Sequence, residues 1–136
     1  MSLFISMQMA NANELPPAEL EAAVNTINEA QNRAMRASSS AQDVEQLFAQ
    51  HYAPQFVYVH PAYGGSYSRE QLRVNTLRNL RAGRYKDEQG RYQIRRIIPG
   101  SGAAAVERLE LSSGQLHLSL FEFEGAKLVK LTEFWR

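Results

Sequence analysis

The chain has 136 residues, 44% of them hydrophobic, no cysteine, and a formal net charge of +1 at neutral pH. That length suits one domain with a core of its own. The lack of cysteine rules out a disulfide, a thiolate metal site and a thiol nucleophile. A charge so near balance makes no overall demand for nucleic acid or a membrane surface, and no apolar run is long enough to cross a bilayer as a helix.

Residues 1–16 stand apart as an N-terminal extension. Leu3 to Met9 is mildly apolar, and Ala10-Asn11-Ala12 has the small-x-small form of a cleavage site. The segment reads first as an ordinary cytoplasmic start. The alternatives are the trimmed tail of an export signal, which would place the protein in the periplasm or outside, and residues added for expression.

A first helix is predicted from Pro16-Pro17 to about Ala37. Proline is tolerated in a first turn, and Glu19 and Glu21 favour the positive end of the dipole. Leu20, Ala23, Val24, Ile27, Ala30, Ala34 and Met35 recur at helical spacing. Ser40-Ala41-Gln42-Asp43 has the form of a capping box. The short helix it opens buries Val44, Leu47 and Phe48 and ends before Pro54, with His51 near its end as a dipole partner. Residues 55–60 alternate, with Phe56, Tyr58 and His60 on one face and Val57 and Val59 on the other. Gly64-Gly65 makes a turn.

Ser68-Arg69-Glu70-Gln71 is a second capping-box pattern. Its helix runs to about Ala82 and stops at Gly83. Leu72, Leu77 and Leu80 form the inner face, with the stem of Arg73 snorkelling from it to the surface. Four strands follow, at about 91–98, 103–112, 115–124 and 127–135. Their turns, Pro99-Gly100-Ser101-Gly102, Ser113-Gly114 and Glu124-Gly125, predict antiparallel hairpins. Nine basic side chains against three acidic ones lie between Arg69 and Arg96. Such a segment can meet an anionic partner, though a solvated helix face is the commoner reading. No aromatic stacking motif interleaves it, so nucleic acid is not expected.

Leu47-Phe48-Ala49 before the first strand, Phe56 to Pro61 within it, Ser68 to Leu72 opening the third helix, and Gly125 to Trp135 at the end carry a resemblance. In that order and spacing they resemble the nuclear-transport-factor-2-like superfamily, whose enzyme branches include SnoaL-like polyketide cyclases and ketosteroid isomerase-like proteins. The resemblance covers about residues 17–136, read as a single domain. It implies an α+β roll: a strongly curved antiparallel sheet packed on three helices, closed into a cone around a largely apolar cavity. It also implies homodimers joined through the open sheet face, where Leu116, Leu118, Leu120 and Phe134 are too apolar to leave bare. This fold hosts isomerases, cyclases, dehydratases and non-catalytic binders, so function must come from the site.

His60 stands where the resemblance places the proton-moving aspartate of the isomerases, and a neutral imidazole can act as a base near neutral pH. Glu133 has the parity of Leu131 and Trp135. If that parity faces the interior, Glu133 is a buried carboxylate able to share a proton with His60, or to pair with Arg108. Ser119 falls where the resemblance places an oxyanion-stabilising acid, with His117 beside it. Tyr58 and Tyr63 carry phenols that can donate to a substrate oxygen, and Phe121 and Trp135 complete a wall. The first helix lacks the aromatic of the isomerase pattern; Asn28 and Asn32 lie nearest that place. No metal or cofactor motif is present.

Two functions follow. One is a cofactor-independent enzyme that moves a proton on an apolar carbonyl compound, as an isomerase, cyclase or dehydratase does. There His60 is the base, Glu133 its partner, and Tyr58, Tyr63, His117, Ser119, Phe121 and Trp135 contact the substrate. The other is a non-catalytic dimeric module of the same fold, holding a small hydrophobic ligand or a protein partner.

Overall fold

The structure is a computed structural model that describes residues 14–136. The candidate cleavage site and apolar start, within residues 3–12, lie outside the described residues. Helix α1 (Pro17–Ala34) comes first, then α2 (Ala41–Gln46), which continues into a π-helical turn at Leu47–His51. Strand β1 (Tyr52–His60), a 3-10 turn (Pro61–Tyr63) and strand β2 (Gly65–Ser68) lead into α3 (Arg69–Arg81). Strands β3 (Tyr92–Pro99), β4 (Ala103–Glu110), β5 (Leu116–Glu124) and β6 (Lys127–Phe134) end the chain.

The local signals act as their chemistry requires. Ser40 and Asp43 close a reciprocal capping box on α2, and Ser68 and Gln71 close another on α3. Each satisfies backbone N–H groups that a helix start leaves open. Val24, Ile27, Val44, Phe48, Phe56, Leu77, Val106, Phe121 and Leu128 meet in one core between the helices and one face of the sheet. Arg73 stays at the surface, bonded to Glu70 and Glu45. No helix among the described residues is long and apolar enough to cross a membrane.

Three sequence expectations need correction. The sheet is mixed rather than antiparallel. Its order is β2-β1-β6-β5-β4-β3, and β1 runs parallel to β6. Turn residues report only on consecutive strands, and this pairing joins the first to the last. Second, residues 65–68 form an additional edge strand, pairing His60 with Gly65 and Val57 with Ser68. It is too short to show alternation. Third, α1 ends at Ala34 rather than near Ala37; His51 does fall in the last turn of the helical segment before β1, where burial, then Lys127 and Arg33, lower its pKa.

The sheet bends at register shifts between Tyr52 and Val57, between Ile94 and Arg96, and between Glu122 and Phe123. An extra residue on one strand increases local twist and turns the strand. Against this sheet, α1 is fastened by polar side chains, and Asn32 forms one such staple. Asn32 Oδ1 accepts from the backbone N–H groups of Arg91 and Tyr92, both at 2.9 Å, and its Nδ2 donates to the Tyr92 carbonyl at 2.7 Å. Gly90, at φ +91°, lets the loop come this close, because a Cβ there would fall 2.5 Å from the Asn32 Cβ. Removing the staple takes a partner from two N–H groups and leaves the Tyr92 carbonyl the Asn28 amide, at 3.2 Å. Asn32→Ala is therefore expected to lower the unfolding free energy by about 2–4 kcal/mol, measured by urea denaturation followed by far-UV circular dichroism.

Candidate functional site

Arg108, in the middle of β4, is the largest side chain that is almost wholly buried, at 1% exposure. Its parity in the strand is that of Ala104 and Val106, which also face the core. A buried guanidinium must have its donors met. Nη1 donates to Gln31 Oε1 at 2.7 Å and to Asn28 Oδ1 at 3.1 Å, both on α1. Nη2 donates to Glu133 Oε1 at 2.9 Å and to Ser119 Oγ at 3.2 Å. Asn28 and Gln31 are three residues apart and so share the face of α1 that meets the sheet.

Glu133 is the counter-ion. Ser119 lies directly opposite it across the β5–β6 ladder. Ser119 Oγ donates to Oε2 at 2.5 Å, and Trp135 Nε1 donates to the same oxygen at 3.2 Å. With Arg108, three donors use three of the about four lone-pair sites a carboxylate offers. The Glu133–Arg108 pair spans two strand spacings, from β6 across β5 to β4. Arg108 also lies over the Tyr92 ring, its guanidinium carbon 3.9 Å from the centroid.

Beside this cluster is a cavity of about 180 Å³ between the π-helical turn, α3 and the sheet. Phe48, Leu72 and Leu131 give it an apolar side. Tyr52, Tyr58, Tyr85, Tyr92, Arg91, Arg108, Glu133, Asn75 and Asn79 give it a polar one. Met35 and Leu47 add to the apolar side, so the lining is mixed, with more apolar than polar surface. Burial raises the pKa of the Tyr58 and Tyr92 phenols, with Glu133 adding to the effect. Burial likewise pushes Tyr52 up to about 12, opposed by the hydrogen bond from Gln31. All three phenols remain neutral donors or acceptors at physiological pH.

Tyr58 and Glu133 are the residues of the sequence-derived site that line this cavity; the others lie elsewhere. His60 is buried in an aromatic nest, 4.4 Å edge-on from Trp135 and 4.6 Å from Tyr63 between ring centroids. Neither of its ring nitrogens has a hydrogen-bond partner among the described residues. The proton sharing expected between His60 and Glu133 is thus not formed. The carboxylate turns toward Arg108, Ser119 and the indole, and the imidazole meets only rings. Tyr63 is 65% exposed. His117 is buried, stacked on Trp135 at 4.4 Å, and its Nδ1 bonds the Tyr92 hydroxyl at 2.8 Å. Its pKa is lowered, chiefly by burial, so the ring is held neutral. Ser119 is committed to the ion pair and Phe121 to the core.

Sequence reasoning did not reach Arg91, Tyr92 or Gln31 as site residues. Arg108 appeared only as a partner for Glu133. Its signal was present, as a charged residue at core parity between Val106 and the following turn. Arg91 and Tyr92 begin a strand, where parity has too few residues to be read.

The nuclear-transport-factor-2-like fold is what this arrangement shares with solved structures. A SnoaL-like protein of unknown function from Burkholderia thailandensis superposes with a TM-score of 0.64 at 19% identity, over 88% of this chain and 96% of that one. A nuclear-transport-factor-2-like protein of unknown function from Burkholderia xenovorans gives 0.60 at 18%, over 85% and 81%. A protein with a ketosteroid isomerase-like fold from Catenulispora acidiphila, in complex with trimethylamine, gives 0.52 at 14%, over 80% and 84%. A de novo designed protein with a curved β-sheet gives 0.60 at 12%, over 90% and 88%. A shape that a designed sequence also adopts carries no activity with it. No family model matches the sequence, and no curated protein does.

Breaking a buried ion pair from one side strands the other charge. Arg108→Met is expected to cost about 3–5 kcal/mol of unfolding free energy. The double variant Arg108→Met/Glu133→Leu should recover most of it. A double-mutant cycle from chemical denaturation checks both.

Proposed function

We propose that this protein is a binding module whose single domain, residues 17–136, holds a small molecule in the cavity between α3, the π-helical turn and the sheet. The observation that carries this reading is the commitment of Glu133. Its oxygens accept from Arg108, Ser119 and Trp135, so three of its about four lone-pair sites are already engaged when a substrate arrives. His60, the other candidate base, lies off the cavity wall. A general base must come within hydrogen-bond reach of the proton it takes, and neither group is so placed and free.

The cavity nonetheless has the mix usual for a ligand site, an apolar side and a few fixed polar groups. A thermal-shift screen against small aromatic acids, aromatic ketones and steroids tests the reading, since a ligand of the folded state raises its melting temperature. Bound ligand is expected to be recovered unchanged by mass spectrometry. His60→Ala should bind within about twofold of wild type, and Leu72→Trp, which fills the cavity, should abolish binding. Conversion of a ligand that is lost in His60→Ala or Glu133→Gln would instead establish the proton-transfer enzyme.

A homodimer joined through the outer sheet face belongs to the same reading. Leu116, Leu118 and Phe134 are 58%, 49% and 48% exposed, and Leu118 pairs with Phe134 across the β5–β6 ladder. Ile98, on β3, adds to that apolar surface. Covering such a patch is favourable in rough proportion to its area. Wild type is expected to sediment as a dimer and Leu118→Lys as a monomer in analytical ultracentrifugation.

A further inference from the structure

The class of ligand can be taken further, resting on the binding reading above. The polar wall of the cavity is lopsided. Its amide and carboxylate acceptors are each already engaged: Gln31 Oε1 takes Arg108, Asn75 Oδ1 takes Arg78, Asn79 Oδ1 takes Arg84, and Glu133 takes three donors. Its donors are in surplus. Arg91 binds Glu110 through Nε alone, at 2.9 Å, which leaves its two terminal nitrogens. Arg108 Nε is buried without a partner among the described residues. The Tyr58 phenol lies on the same wall and can donate its hydroxyl proton.

A wall whose charged donors are free while its amide and carboxylate acceptors are engaged favours a ligand that brings acceptors. Because one of those donors is a guanidinium, the strongest match is an anion. Planar carboxylates meet guanidinium groups through paired, charge-assisted hydrogen bonds. A cation is disfavoured despite the many rings, since the Tyr92 face already receives Arg108 at 3.9 Å and Arg91 at 5.0 Å.

Size narrows the class again. A cavity of about 150 Å³ accommodates benzene, and this one has about 180 Å³. There is room inside for one six-membered ring and a small substituent; a fused polycycle would have to extend out of the cavity. We propose that the cavity takes a benzoate-sized aromatic carboxylic acid. Its ring would lie against Phe48, Leu72 and Leu131, with its carboxylate received by Arg91 and Tyr58.

Isothermal titration with benzoate, benzamide, benzylammonium, 1-naphthoate, a steroid and acetate tests this. Benzoate is expected to bind about tenfold or more tightly than benzamide, as the loss of a charge-assisted hydrogen bond predicts. Benzylammonium, 1-naphthoate, the steroid and acetate should bind more weakly still. Arg91→Gln should weaken benzoate about tenfold or more and benzamide much less, so that the two bind about equally. Tyr58→Phe, which keeps the ring, should weaken benzoate in the same direction and serves if Arg91→Gln fails to fold. Equal affinity for benzoate and benzamide, or preference for the cation or a polycycle, would overturn the acid assignment and leave the binding module standing. An unchanged benzoate affinity in both variants would do the same. Binding of nothing in the panel would overturn both.

Discussion

A guanidinium and a carboxylate, buried together, organise the interior of this protein. Arg108 and Glu133 have side chains 1% and 5% exposed. Removing such charges from water costs several kcal/mol per ion before any contact is made. The pair persists because most of its remaining hydrogen-bonding capacity, all but Arg108 Nε, is met from three directions. Asn28 and Gln31 come from α1, Ser119 from β5 and Trp135 from the end of β6. The suppliers come from α1, β5 and the residue after β6, so the cluster constrains several elements at once. A slip of β5 against β6 by one residue would turn Ser119 away from Glu133. A rotation of α1 would take Asn28 and Gln31 out of reach together.

The cavity is a consequence of the same constraint. The long helix is drawn to the sheet at Arg108 and again at Asn32, which grips the first residues of β3. Farther along, the π-helical turn at Leu47–His51 and α3 stand off the sheet, and the space left is the cavity. π-helical turns interrupt the regular stacking of a helix and are frequent at functional sites. Here the turn places Leu47 and Phe48 on the cavity wall. The ion pair uses the wall's acceptors and leaves donors to face the empty side, so internal packing already sets the polarity a ligand would meet.

The histidine that sequence reasoning favoured shows why position along a chain is a weak guide to a site. His60 ends an alternating strand and has the inward parity of Phe56 and Tyr58, and it is buried as that parity predicts. Alternation says which face a side chain takes. It does not say whether the space beyond is empty or filled. Tyr63 and Trp135 fill it for His60, and Trp135 is brought there by the last strand from the far end of the sequence. Arg108 was hidden for the opposite reason. Charge normally marks the surface, so its core parity reads as an irregularity until four partners from other elements are seen around it.

What the sequence determined by itself is local. Two reciprocal capping boxes, the apolar stripes of the helices, the alternation of the strands and the glycine turns of the hairpins are set by residues within a few positions of one another. Short-range sterics and hydrogen bonding suffice to specify them. Only the tertiary structure decided the parallel pairing of β1 with β6, the edge strand at residues 65–68, the partners of Glu133 and the donor-rich character of the cavity. These rest on contacts between residues as far apart as Asn28 and Arg108. The energy of such contacts depends on burial and on simultaneous partners, and neither exists until the chain has closed on itself.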